Sequence, residues 1–201
     1  MANPGPEHWT AAKRVLRYLN GTRDLGIIYN SGGEIMPKCF SDSDWGQNCD
    51  DRRSISGNIF LLSNGPITWQ SKRQPTVALS SMEAEYMAVS LATQQIIWLR
   101  SFLNELDMPQ TKPTILYVDN QGTIKYSNNG TNHGHLKHID VKHHFICEKL
   151  ISNEITLQYV GTNDNLADLF TKSLPKPKHQ DLTMKLSMAM DLRGSVVNSN
   201  D

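Results

Sequence analysis

Along the first twenty residues the apolar side chains Trp9, Ala12, Leu16 and Leu19 recur at alternating intervals of three and four, the spacing of one helix face. This predicts an amphipathic helix from Pro6 to about Asn20, with Gly21 as its stop. Leu25 to Tyr29 reads as a short strand, and Ser31-Gly32-Gly33 breaks the pattern. Three strand-like runs follow, Pro37 to Trp45, Gly57 to Ser63 and Pro66 to Ser71, separated by Asp-Asp-Arg-Arg and Ser-Asn-Gly turns, as in an antiparallel meander. A long helix is then expected from about Ser80 through Leu106, opened by the capping box Ser80-Ser81-Met82-Glu83 and closed by Pro109.

The second half of the chain alternates. Thr114 to Val118 is a β-rich apolar run that ends at Asp119 and passes directly into a helical stretch, Gln121 to Asn128. Asp140 to Ile151 reads as a helix, Ile155 to Val160 as a strand, and Asn163 to Leu174 as a helix stopped by Pro175 and Pro177. The order βββαβααβα describes an α/β domain: three antiparallel strands, then βαβ-type units. Met184, Leu186, Met188 and Met190 suggest a last short helix, and Ser195 to Asp201 a frayed end. The expected division is an N-terminal appendage at 1–32, a main domain at 33–178 and a tail at 179–201.

Composition narrows the setting. The 201 residues suffice for one domain with appendages. No apolar run approaches the roughly 20 residues of a membrane span, and the first residues lack the basic and apolar regions of a signal peptide. Membrane insertion and secretion are disfavoured, so an intracellular setting, cytoplasmic or nuclear, is expected. Three cysteines, Cys39, Cys49 and Cys147, never form a C-x-x-C pair, which argues for a reducing compartment and against a disulfide framework or cysteine-based zinc. Twenty basic and twenty acidic residues balance, so the chain lacks the basic excess common in nucleic-acid binders. Charge is nevertheless segregated: Lys125, Lys137, Lys142 and Lys149 share one stretch with His133, His135, His138, His143 and His144.

Four carboxylates occupy positions that a purely structural role explains poorly. Asp42 lies within an apolar strand. Glu85 heads the stripe Val89, Ala92, Ile96, Leu99, Leu103 and Leu106, so it faces the domain, whereas Glu83 falls on a mostly polar line and serves as a cap. Asp119 closes a strand that feeds a helix, where α/β folds place their ligands. Asp168 sits in the first turn of the last predicted helix, where the helix dipole alone would also favour a carboxylate. Asp42 and Asp44 are two apart on one strand face, so spacing leaves open which is the ligand.

Inward acids without evident basic partners share a metal or take up a proton. Hard oxygen ligands without cysteine suit magnesium or manganese, and four carboxylates can hold two ions. Two ions roughly 3.5–4 Å apart would clamp an in-line displacement at phosphorus, one activating water and the other stabilising the departing 3′ oxygen, as in phosphodiester hydrolysis.

These residues lie in stretches that closely resemble the ribonuclease H domain of copia-type retrotransposon Pol polyproteins. The stretches are Cys-Phe-Ser-Asp-Ser-Asp-Trp-Gly at 39–46, Asp-Arg-Arg-Ser-Ile-Ser-Gly at 51–57, Ile-Thr-Trp-Gln-Ser-Lys-Arg-Gln-Pro-Thr-Val-Ala-Leu-Ser-Ser-Met-Glu-Ala-Glu-Tyr at 67–86, Leu-Tyr-Val-Asp-Asn-Gln at 116–121, Lys-His-Ile-Asp-Val-Lys-His-His-Phe-Ile at 137–146 and Asn-Leu-Ala-Asp-Leu-Phe-Thr-Lys-Ser-Leu at 165–174. The likeness covers about residues 38–175, and residues 7–22 resemble the segment joining reverse transcriptase to ribonuclease H in that family. It implies the ribonuclease H-like fold, a five-stranded mixed sheet flanked by helices, and Asp42, Glu85, Asp119 and Asp168 as catalytic and metal-binding acids with two magnesium or manganese ions. It also implies cleavage of the RNA strand of RNA–DNA hybrids, with the reverse transcriptase domain of the same polyprotein as partner.

Hybrid discrimination rests on 2′-hydroxyl contacts, for which Ser43, Ser56, Gln74, Asn120 and Gln121 are candidates by proximity, with Lys137 and His138 as further nucleic-acid contacts. The sequence departs from the family at His135 and Cys147, where arginine is usual, and at Gly130, where proline is usual. Val160-Gly161-Thr162-Asn163 offers no counterpart of the catalytic histidine of cellular ribonucleases H, which leaves proton transfer to water. Tyr117-Val118-Asp119-Asn120 lacks the paired aspartates of a polymerase, so polymerase activity is not expected. The alternative expectation is an inactive relic or nucleic-acid-binding module that keeps the fold. A zinc site built on His138 with His143 or His144 is disfavoured by the missing cysteines, and Trp9, Trp45, Trp69 and Trp98 are expected to pack as scaffold.

Overall fold

The computed structural model describes residues 4–29, 35–47, 50–128 and 140–190. In chain order the elements are α1 (Pro6–Gly21), β1 (Leu25–Ile27), β2 (Lys38–Ser43), β3 (Ile55–Leu62), β4 (Gly65–Arg73), α2 (Ser81–Glu105), β5 (Thr114–Val118), α3 (Gln121–Asn128), α4 (Asp140–Ile151), β6 (Ile155–Tyr159), a 3₁₀ turn (Leu166–Phe170), α5 (Lys176–Lys185) and β7 (Met188–Met190). The expected break at Ser31-Gly32-Gly33 and the expected frayed end at 195–201 lie outside the described residues.

Five strands form one mixed sheet in the order β4-β3-β2-β5-β6. β2, β3 and β4 are antiparallel neighbours, and the β3–β4 hairpin turns through Ser63 and Asn64, both at positive φ, as a tight two-residue connection demands. β5 runs parallel to β2 on one side and to β6 on the other, each reached through helical crossovers. β2 is therefore central, with an antiparallel neighbour on one edge and a parallel one on the other.

Both faces of the sheet are covered. Alternation along β3 sends Phe60 to one face and Ile59 and Leu61 to the other. Phe60 joins Cys39, Leu116, Val118 and Ile155 under the buried stripe of α2, which includes Val89, Ala92, Ile96, Leu99 and Leu103, with Ile146 of α4 alongside. On the opposite face Ile59 and Leu61 pack with Leu166 of the 3₁₀ turn and with Leu182 and Leu186 at the end of α5. α2 starts where its sequence signals: the Ser80 hydroxyl accepts the Glu83 amide at 3.1 Å, and Glu83 Oε2 accepts the Leu79 amide at 2.7 Å.

Three sequence expectations change. The helix expected from Asn163 to Leu174 is a short 3₁₀ turn, and the true helix, α5, starts after Pro175 with Pro177 in its first turn. The prolines open a helix here, because a first-turn residue needs no intrahelical amide donor. The last methionines do not share one helix: Met184 is in α5, while Met188–Met190 is a strand paired antiparallel with β1, a partnership across the length of the chain. The four tryptophans are not core residues: each is more than half exposed. α1 buries no side chain, so Trp9 stays at the surface, and Trp98 stacks on Phe102 along the outer side of α2.

Candidate metal centre

Because β2 and β5 are parallel and Ser41 pairs with Val118, the next residue of each strand direction, Asp42 and Asp119, arrives at the same level at their carboxyl ends. This is the position where open α/β sheets carry their ligands. Glu85, near the start of α2, reaches over the same edge and accepts the Ser43 amide through Oε1 at 3.3 Å. One carboxylate oxygen from each of Asp42, Glu85 and Asp119 lies within 4.8 Å of the others. Asp42 and Glu85 are buried and Asp119 is partly open. Glu85 Oε2 is buried with no hydrogen-bond partner among the described residues.

An unpartnered, buried carboxylate oxygen facing two further carboxylates is costly as it stands and is a suitable donor for a cation. The electrostatics agree. Burial pushes the Glu85 carboxyl well above the ordinary carboxylate range, and the charges of Asp42 and Asp119 push it further. Burial also raises Asp42 to about 6, with Lys172 and the Thr171 hydroxyl opposing that rise and Asp168 adding to it. An all-oxygen donor set of this kind fits a divalent cation.

Of Asp42 and Asp44, it is Asp42 that joins the carboxylate cluster. Asp44 lies just beyond β2, and its carboxylate accepts the Ile55 amide, while its own amide donates to the Ile55 carbonyl. It pins the loop after β2 to the start of β3.

Asp168 reaches the site by a different route. Asn165 caps the 3₁₀ turn by accepting the Ala167 amide at 3.2 Å, and its amide nitrogen donates to the Ser41 carbonyl at 3.0 Å, one residue before Asp42. Asp168 is buried but is not within the close triad. Lys172 Nζ joins it to Asp42, at 2.8 Å from Asp168 Oδ1 and 2.9 Å from Asp42 Oδ1. Lys178 of α5 takes Asp168 Oδ2, and the Thr171 hydroxyl donates to Asp42 Oδ2. The expectation that no basic residue pairs with these acids is therefore corrected for Asp42 and Asp168. The Asp168-x-x-x-Lys172 spacing is the local sequence signal for this pair.

Of the residues considered for hybrid contacts, Ser43 and Gln74 are buried, Gln74 donating to Ser56 Oγ and the Ala84 carbonyl, each at 2.9 Å. Asn120 Oδ1 accepts the Thr123 amide at 3.0 Å and caps α3, directly after Asp119, while Gln121 is exposed. Lys137 and His138 lie outside the described residues, as do His133 and His135. His143 is buried against Tyr126, with ring centroids 4.8 Å apart.

No family model matches the chain. A retrovirus-related Pol polyprotein from transposon TNT 1-94 of Nicotiana tabacum is 41% identical over 180 residues, 90% of this chain. One from transposon RE2 of Arabidopsis thaliana is 38% identical over 188 residues, 94% of this chain. The chain belongs to the copia-type retrotransposon Pol family. It spans about 13% of the length of these two polyproteins. Among solved structures, LC11-RNase H1, isolated from compost, matches 69% of this chain and 94% of its own at a TM-score of 0.52 and 12% identity. This copia-type Pol segment thus has the ribonuclease H-like fold, with the five-stranded mixed sheet expected from its sequence.

Two of its departures from the family pattern, Gly130 and His135, lie outside the described residues. The third, Cys147, is partly buried on α4, with its sulfur 3.3 Å from the Ser127 carbonyl and 3.6 Å from His143 Nε2.

Proposed function

We propose that this segment is a metal-dependent endonuclease that hydrolyses the RNA strand of RNA–DNA hybrids, as part of, or derived from, a copia-type polyprotein. Asp42, Glu85, Asp119 and Asp168 are its catalytic acids, and magnesium or manganese, two ions, its cofactor. The observation that carries the reading is the convergence of Glu85 with Asp42 and Asp119 at the carboxyl ends of two parallel strands, with Glu85 Oε2 lacking a hydrogen-bond partner among the described residues.

Bound there, the ions would supply Lewis-acid chemistry to the attacking water and the leaving 3′ oxygen. The chain supplies placement. β2 and β5 fix Asp42 and Asp119 at one level, the first turns of α2 bring Glu85 over them, and Asn165 holds the Asp168 segment against β2. Candidates for contacts to the hybrid are Asn120 and Gln121, which follow Asp119 directly, together with Lys137 and His138, while burial counts against Ser43 and Gln74 as direct contacts; 2′-hydroxyl contacts would distinguish the RNA strand. In an intact element the reverse transcriptase domain of the same polyprotein is the natural partner. No helix among the described residues is long and apolar enough to cross a membrane.

The test is cleavage of an end-labelled RNA–DNA hybrid in magnesium or manganese, comparing the wild-type chain with Asp119→Asn. The reading expects cation-dependent cleavage that Asp119→Asn abolishes; undiminished cleavage by the variant overturns it. A second reading, a hybrid-binding module without turnover, is favoured by Lys172 and Lys178, which together engage both oxygens of Asp168. Hybrid binding without cleavage in either cation would select it.

A further inference from the structure

The two lysines divide the four acids into unequal halves. On one side Asp42, Glu85 and Asp119 present oxygens within 4.8 Å of one another, with Glu85 Oε2 unpartnered among the described residues. On the other side an ammonium group already sits between Asp42 and Asp168, at 2.9 and 2.8 Å. Those distances are those of charge-assisted hydrogen bonds, and Asp42 and Asp168 are both fully buried there. Lys172 itself is not fully enclosed: its side chain keeps 26% of its exposure.

We propose that Lys172 is a built-in placeholder for the second cation, holding Asp42 and Asp168 together until a divalent ion displaces its ammonium. This rests on the metal-dependent reading above and deepens it. Counting formal charges, four ionised carboxylates against Lys172 and Lys178 leave two negative charges, the complement of one divalent ion. Withdrawing Lys172 leaves three, and a scissile phosphodiester adds a fourth, the complement of two ions. The second ion therefore enters most favourably together with the substrate, and the displaced ammonium is free to meet a backbone phosphate. Lys172 is a positioning residue in this account: because it bridges Asp42 and Asp168, it governs the affinity of the second cation position more strongly than that of the first. It also accounts for the Lys172 contact of Asp168 without assigning the site to a dead relic.

Calorimetric titration of the full chain with manganese alone, without nucleic acid, tests this independently of turnover. The wild-type chain should bind one ion well and a second weakly. Lys172→Met should strengthen the second event by about tenfold or more, the order expected when a competing charge leaves a partly buried site. Adding Asp168→Asn to Lys172→Met should remove the gain. In chelator, Lys172→Met should melt below wild type, and manganese should raise its melting temperature by more than it raises that of wild type. Should Lys172→Met not fold, Lys172→Gln, which retains a donor, gives the same comparison. A second ion bound equally by wild type and variant overturns the placeholder role alone. No manganese bound by either protein, with Asp119→Asn indistinguishable from wild type, overturns both this inference and the metal-dependent reading.

Discussion

Gly57 stands directly opposite Asp42 in the antiparallel register of β2 and β3, and the chain segment that carries Asp168 packs onto that glycine. A Cβ at position 57 would lie 2.6 Å from Thr171 Cγ2, 3.0 Å from Phe170 Cβ and 3.1 Å from the Ala167 carbonyl. The absent side chain is what allows the 3₁₀ turn to approach β3 and bring Asp168 and Lys172 towards Asp42.

Gly57→Ala should therefore push that turn away from the sheet. Overpacking of this kind typically costs about 1–3 kcal/mol. The variant should melt lower than wild type and lose most hybrid cleavage, although no acid has been changed. Thermal denaturation and the cleavage assay together check this, and unchanged values in both would contradict the packing described.

Glu85→Gln should inactivate the protein yet stabilise it. The glutamine oxygen can still accept the Ser43 amide, while the buried charge and its repulsion with Asp42 and Asp119 disappear. For a chain of this length each kcal/mol gained raises the melting temperature by about 2–4 °C. Melting in chelator should show the rise, and the same variant should show no cation-dependent cleavage.

The pH dependence follows from Asp42. Its carboxyl, ordinarily near 3.8, is raised to about 6 by burial, in a setting shared with Glu85, Asp168 and Lys172. Between those values the folded protein binds more protons than the unfolded chain, so this group's contribution to stability falls as pH rises through the interval. Relative to wild type in chelator, Asp42→Asn should gain stability from pH 5 to about pH 7. Magnesium should reverse the comparison, because a cation favours the ionised carboxylate that only wild type can offer. Melting curves of both proteins across this range, with and without magnesium, are the check.

Asn165 tests the anchoring of the fourth acid. Its side chain is fully buried and both ends are used, one on Ser41 and one on Ala167. Asn165→Ala leaves the Ser41 carbonyl and the Ala167 amide without these partners, at a cost of about 1–3 kcal/mol. Manganese titration should show the second binding event weakened and the first retained.

Most of the fold was legible because its signals are local. The capping box at Ser80, the turn after Ser63 and the β-rich run into Asp119 are each short stretches whose chemistry dictates one conformation. Glu85 was legible as inward-facing from helix phase and Asp119 from its place at a strand's end, whereas strand phase left Asp42 and Asp44 undecided and the partnerships around Asp168 unread. Lys172 meets Asp42, and so links it to Asp168, where the 3₁₀ turn lies against β2, to which Asn165 ties it across more than a hundred residues. The pairing of β1 with β7 is non-local in the same way. The exposed tryptophans misled for a converse reason: a large aromatic side chain favours burial, but among the described residues Trp9 on α1 and Trp98 on the outer side of α2 stay more than half exposed.

The most direct measurement is the position of manganese by anomalous diffraction from crystals of this chain soaked in the ion. The account predicts the strongest peak between the carboxylates of Asp42, Glu85 and Asp119, absent from Asp119→Asn crystals. A peak elsewhere that leaves these three carboxylates without the ion, or one that persists unchanged in Asp119→Asn, would contradict it.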